Sequence, residues 1–194
     1  MTSLNLDRQA KRLRGVASLL RANGPRTIAS AIRGEPTVLR SPELDHPVLV
    51  EGRADLAAFD ANTRRRIYAV PREHNDRVEG RLIIDLGGNI GTTAAYFASR
   101  FPTSPVVSVE PHPRNFERLR LNVEPYGGRV VPLWAGVGGS GRGPLALANP
   151  GGDPMSYSFV ESGPEKPGDV VEAPHVALTA LLAVEGQVPA PTPG

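Results

Sequence analysis

The 194-residue chain is 40% hydrophobic, carries a formal charge of +2 and contains no cysteine, with 21 glycines and 20 prolines. That length suits one domain with a sizeable core, and the missing cysteines exclude disulfides and thiolate metal sites while agreeing with a reducing interior. Twenty arginines against two lysines raise the isoelectric point without a large positive excess, so the charge balance does not indicate nucleic-acid binding.

Residues 4 to 22 place Leu6, Ala10, Leu13, Ala17 and Leu20 at steps of four and three, one face of a helix that Gly24-Pro25 stops. Arg8, Lys11, Arg12, Arg14 and Arg21 fill its remaining surface and read as the solvated side of a docking helix. No apolar leader opens the chain and no window is long enough to cross a bilayer, so the expected location is cytoplasmic, with no membrane partner. After His46-Pro47, Val48-Leu49-Val50 is a short strand candidate. Asp55 then caps a helix in which Leu56, Phe59, Thr63 and Ile67 share a face. Arg64-Arg65-Arg66 has the look of a phosphate clamp, yet three consecutive helical residues spread over about 200°, which predicts a solvated surface.

From residue 82 the pattern becomes regular. A strand (82–86) precedes a helix from Thr92 to Arg100 stopped by Pro102; a strand from Val106 to Glu110 precedes a helix beginning near Pro113, with Phe116, Leu119 and Val123 on one face; a third strand runs from Val130 to Val137. This βαβαβ order implies a parallel sheet with helices on its faces, the doubly wound α/β architecture. Leu145-Ala146-Leu147 is a returning strand, residues 149–168 are a long loop, and Val176 to Val184 is a strand running into a helix. The expected organisation is a helical extension over 1–45, a cofactor-binding domain over 46–185 and a disordered proline-rich tail over 186–194.

The chemistry concentrates in LIIDLGGNIG at 82–91, where an apolar strand ends in an acid and then in a glycine turn that opens a helix. Ligands of open parallel sheets bind at the carboxyl ends of the strands, and the helix N-terminus offers free N–H groups there. Gly87, Gly88 and Gly91 keep side chains out of the way. The dinucleotide fingerprint wants glycines at steps of two and three; Gly87, Asn89 and Gly91 give two and two, with Asn in the middle where a diphosphate needs close backbone approach. Asp85 would repel a diphosphate and suits a cation; taken alone it also reads as a cap. Glu110, nineteen positions past Gly91, ends the next strand, where a carboxylate accepts from both hydroxyls of a ribose. A ligand with a ribose, a cationic amino-acid-like end and no phosphate fits these parts, and S-adenosylmethionine is such a molecule.

IIDLGGNIG, YFASRFP, VVSVEPHPRNFERLRLNV and VVPLWAGVG together resemble the successive core motifs of FkbM-type methyltransferases, whose first motif is D-x-G-A-N-x-G and whose second strand ends in E-P. The resemblance covers about 46 to 185 and is most specific over 83–123; Gly88 stands where the family usually has Ala. It implies a Rossmann-like class I methyltransferase fold and an O-methyltransferase of small-molecule or sugar hydroxyls. By the same resemblance Asp85, Gly87, Gly88, Asn89 and Gly91 hold the methionine end, Glu110 the ribose, and Ala135 borders the adenine. The family's next element, D-x-L-K-x-D-x-E-G-x-E, is expected after VALTALLAVEG and is absent, which reads as a fold shortened after its third core strand, either by a cut chain or as a genuine feature. In the family that element lies beside the first strand, so its absence predicts an exposed sheet edge that pairs with another chain.

No catalytic residue is assigned. His112 follows Glu110 closely but sits between prolines; His46, His74 and His175 lack metal-ligand spacing, and no metal is expected. Tyr157 lies in the long loop, where a tyrosine is usually surface. Two rivals stand beside the methyltransferase: a non-catalytic module that binds cofactor or serves only for interaction, and a nicotinamide oxidoreductase, against which the glycine spacing and Asp85 argue.

Overall fold

A computed structural model describes residues 17–138, 145–147, 159–161 and 172–183. Helix α1 covers 17–23 and stops at Gly24, and α2 (Pro25–Arg33) follows at once, its proline lying in the first turn where no N–H is needed. Strands β1 (Thr37–Leu39) and β2 (Val48–Val50) form an antiparallel pair with Thr37 opposite Val50. Leu39, Val48 and Val50 point into the core, as period-two alternation requires.

Helix α3 (Arg53–Thr63) does not take Asp55 as its cap. Gly52 holds the cap position, and Asp55, inside the first turn, reaches back to accept the N–H of Glu51 (2.8 Å). The helix ends at Thr63, so Ile67 does not share its face and is 54% exposed, and the arginine triplet lies beyond the helix rather than on it. The cause is Arg66, whose φ of 49° turns the chain away, a left-handed conformation that apolar periodicity does not encode.

After a short 3-10 turn, Arg72–Arg77, come β3 (Ile83–Leu86), α4 (Thr92–Arg100), β4 (Val106–Glu110) and α5 (Pro113–Val123). A second 3-10 turn, Glu124–Arg129, leads to β5 (Val130–Trp134). These three strands make a parallel sheet in the order β3-β4-β5, with Ile83, Val106 and Val130 in register. Ala94, Ala95 and Ala98 of α4 and Leu119 and Val123 of α5 pack with Val106 and Val130, so both helices cover one sheet face. Phe59 of α3 and Val48 and Val50 of β2 extend the same cluster outward. The architecture is mixed α/β with a three-stranded parallel sheet, consistent with a Rossmann-like fold.

The opposite face is built differently from the sequence expectation. The strand expected over 130–137 breaks at Ala135: β5 stops at Trp134, and β6 (Gly136–Gly138) leaves to pair in parallel with β10 (His175–Ala177). A continuous apolar run carries no mark of a change in partner, and the break is sealed by the Gly136 N–H donating to the Pro174 carbonyl (2.7 Å). Helix α6 (Leu178–Leu182) follows β10, as expected, and brings Leu181 against Val107, Val109 and Ala135. Strand β7 (Leu145–Leu147) lies between β8 (Phe159–Glu161) and β9 (Glu172–Ala173), so the expected loop over 149–168 contains a strand. The rest of that loop, the first part of the N-terminal helix and the proline-rich tail lie outside the described residues.

Among the described residues β3 pairs with β4 alone and so forms a sheet edge, with Leu86 half exposed. No described helix is long and apolar enough to cross a membrane.

Candidate functional site at the glycine turn

Sheet register sets the site. Asp85 of β3 lies opposite Ser108 of β4, and the Ser108 hydroxyl donates to Asp85 Oδ2 (2.8 Å). Two residues on, and therefore on the same sheet face, Glu110 ends β4 opposite Trp134 of β5. Asp85, Ser108 and Glu110 are all buried. The two carboxylates picked out in the sequence thus share one face at adjacent strand tips.

The turn between them is held by the sheet it leaves. The N–H groups of Gly87 and Gly88 both donate to the Val109 carbonyl (2.9 Å each), and the Gly91 N–H returns to the Gly88 carbonyl (2.8 Å). Asn89 adopts φ 49°, a region that Asn tolerates better than most residues because its short amide can bond locally, which is a backbone reason for Asn in the motif. Its N–H donates to Glu110 Oε2 (2.8 Å), so the second carboxylate fixes the turn directly. A Cβ at Gly88 would sit 2.5 Å from Leu119 Cδ1 and closer still to Ser108 Oγ; one at Gly91 would come 3.1 Å from Leu119 Cα on α5. Gly88 and Gly91 are therefore packing glycines. A Cβ at Gly87, which is exposed with φ 83°, would meet nothing within 4 Å. It is the glycine of the motif that borders open space.

Charge is the distinctive property of the site. Burial pushes the Asp85 carboxyl up to about 6, against the lowering by the Ser108 hydroxyl. Burial also raises Glu110, and the neighbouring Asp85 charge adds to the rise, opposed by N–H donation from His112 and Asn89 and by the Asn115 side chain. No basic side chain among the described residues pairs with either carboxylate. Oδ1 of Asn89 is buried beside them without a protein partner. Two acids and a spare amide oxygen offer acceptors, which suits a ligand carrying donors and positive charge.

Glu110 is already engaged. Its Oε1 accepts the His112 N–H (2.9 Å) and its Oε2 that of Asn89, and Asn115 adds a third bond. A carboxylate offers about four acceptor positions, so roughly one is left for a ligand unless Asn115 turns away.

Of the other residues singled out by sequence, Ala135 is buried with Val107, Val109 and Leu181 on the opposite sheet face, beyond the end of β5. His112 holds the N-cap position of α5, and burial, together with Arg114, lowers its imidazole pKa. His46 packs edge-on against Tyr126 at 4.9 Å, and Tyr157 lies outside the described residues. No cluster of three metal-ligating side chains occurs among the described residues.

Sequence reasoning missed Ser108, Asn115 and Trp134. Ser108 had a signal, a lone hydroxyl inside the buried run VVSVE, because a polar side chain in a covered strand must have a partner. Trp134 had none: its indole N–H donates to the Pro111 carbonyl (3.0 Å), leaving a 42% exposed ring next to Glu110 in the sheet register. Asn62 of α3 donates to the hydroxyls of Thr92 (2.9 Å) and Thr93 (3.2 Å), tying α3 to the start of α4 behind the turn.

Protein-family models, curated proteins and solved structures give no match to this chain. What the site binds must be argued from its own chemistry.

Proposed function

We propose that the chain is an S-adenosylmethionine-dependent O-methyltransferase of the FkbM type, acting on a small-molecule or sugar hydroxyl. One observation carries the reading: two buried carboxylates, at adjacent tips of a parallel sheet, flank a glycine turn and have no cationic partner among the described residues. A buried, unpaired acid is costly, and a ligand bringing a fixed sulfonium and an ammonium group offsets that cost where a diphosphate would add to it. Further support comes from the motif resemblance over 83–123 and from Gly87, which leaves the mouth of the turn open.

In this reading Asp85 and Asn89 Oδ1 face the methionine end. The last acceptor position of Glu110 takes one ribose hydroxyl, and Asn115 yields a second. The exposed Trp134 ring beside Glu110 offers a flat surface to the adenine, a role that the resemblance gave to Ala135. When bound, the cofactor would supply an electrophilic methyl for transfer to the acceptor oxygen. The protein's part is alignment of acceptor and methyl.

Calorimetric titration with S-adenosylmethionine, S-adenosylhomocysteine and NAD tests the proposal. The expected order is binding of the first two and none of NAD, with Asp85→Asn weakening S-adenosylmethionine by tenfold or more. Tighter binding of NAD would overturn it. A second reading, a cofactor-binding or interaction module without turnover, is favoured by the three internal bonds at Glu110, which are those of a structural acid. Cofactor binding without methyl transfer to any of a panel of hydroxylated acceptors would decide for it.

A further inference from the structure

We propose that the cleft between α1, the β1–β2 loop and the end of α3 is a second binding site, for a small organic anion: a carboxylate or phosphate carried on an apolar stem. The cleft has a volume of about 240 Å³ and is lined by residues of all three segments. Leu19, Ala22 and Phe59 supply apolar wall, while Arg40, Arg66 and Glu43 bring charge to it. Through Ala22, Arg40, Ser41 and Pro42 it adjoins a second cleft of about 350 Å³ along the same loop. None of these residues belongs to the glycine turn, and the inference does not rest on the nucleoside reading.

Two arginines point to an anion. Arg40 is exposed and no carboxylate among the described residues pairs with it, while its backbone is pinned on both sides: its N–H donates to Asn23 Oδ1 (2.6 Å) and its carbonyl accepts from Asn23 Nδ2 (3.0 Å). Arg66 forms an ion pair with Glu43, the two side chains 53% and 24% exposed, a pair that water and salt weaken. Arg64 also lines the cleft but is held by both carboxylate oxygens of Asp60. That leaves Arg40 and Arg66 with a single carboxylate, Glu43, in this cleft, while Asp45 lies in the adjoining one.

The backbone at Arg66 is the independent observation. Its φ of 49° is the left-handed position that ends a helix, normally given to Gly or Asn, and the chain closes there with the Ile67 N–H on the Ala61 carbonyl (3.1 Å). An arginine at this position strains the turn, and an exposed ion pair returns little of that loss. Crossing to Glu43, the Arg66 side chain is placed to release that partner and grip a carboxylate or phosphate with two parallel N–H bonds. Thr63 lines the cleft, and its neighbour Asn62 bonds Thr92 and Thr93 at the start of α4.

The test is titration of the full chain at low ionic strength with hexanoate, hexyl phosphate, inorganic phosphate and hexanol, followed by amide chemical shifts. The expected result is binding of hexanoate, hexyl phosphate or both, at least tenfold weaker binding of inorganic phosphate, and no binding of hexanol; the tighter of the two amphiphiles identifies the anion. R66G and R40A should each weaken the bound amphiphile tenfold or more. The melting temperature of R66G should move by no more than about 3 °C, because glycine relieves the strained turn. Binding of hexanol as tightly as hexanoate, full affinity in R66G or R40A, absence of binding by both amphiphiles, or displacement of the anion by S-adenosylhomocysteine would each overturn the proposal.

Discussion

Gly88→Ala puts the packing of the glycine turn to a quantitative test. The added methyl would meet Leu119 Cδ1 at 2.5 Å and press still harder on Ser108 Oγ, and Ser108 is fully buried in the middle strand. Leu119 can rotate its terminal methyl aside; Ser108 can yield only by abandoning its 2.8 Å bond to Asp85. Overpacking costs about 1–3 kcal/mol and a lost bond to an ionised acid about 1.5–3 kcal/mol, so the expected loss near pH 7 is about 3–5 kcal/mol. For a chain of this size that lowers the melting temperature by roughly 10 °C. Urea unfolding, followed through the single tryptophan, measures it. The decisive comparison is the cycle with Ser108→Ala, which removes the obstructing oxygen. The double variant should be at least about 1.5 kcal/mol more stable than the sum of the single losses predicts. Additivity within about 0.5 kcal/mol would refute the reasoning, and with it the explanation for glycine where the resembling family has alanine.

Asp85 has a folded-state pKa raised from its ordinary 3.8 to about 6, so its contribution to stability is present below pH 4 and is lost as pH rises through 6. Parent minus Asp85→Asn stability should therefore fall by about 3 kcal/mol between pH 4 and pH 7, read by denaturant titration at each pH; a flat difference would show a solvated carboxylate. Arg118, 12% exposed between Glu51 and Asp55, should cost about 3–5 kcal/mol when changed to Met, because a buried acid loses its partner, whereas Arg114→Met, 69% exposed, should cost less than about 1 kcal/mol in the same assay. Asn122 accepts the Leu49 N–H (2.7 Å) and donates to the carbonyls of Leu49 (3.0 Å) and Ile90 (2.8 Å), so Asn122→Leu should cost about 2–4 kcal/mol and speed exchange of the Leu49 amide, with unchanged exchange speaking against the link. The β3 edge should make the chain associate as its concentration rises, and Leu86→Lys should suppress this in sedimentation; a monomer at every concentration would remove the edge as an interface.

Local signals settled the centre of the fold. The limits of α4 and β4 fall at the residues read from apolar periodicity, Pro102 and the glycine turn, because helix and strand periods differ and the chain has strong stop signals there. Asp85 and Glu110 were legible as strand-end acids for the same reason. Their shared face was implied by strand order, but their burial and mutual charge effect required the sheet register and the cover of α5.

Other features are decided by contacts that no short window encodes. The break at Ala135 depends on β10, some forty residues later in the chain, capturing β6 in place of a longer β5. Arg66 reads as one of three like residues in sequence, and only the left-handed turn at the end of α3 separates it from its neighbours and sets it against Glu43. Ser108, Asn115 and Trp134 acquire roles by lying across from Asp85, Glu110 and Pro111. Residue type and spacing determined where the chain forms helices and strands and where its acids fall; which side chains meet, and hence what the site can hold, was decided by long-range pairing, whose energy depends on partners far apart along the chain.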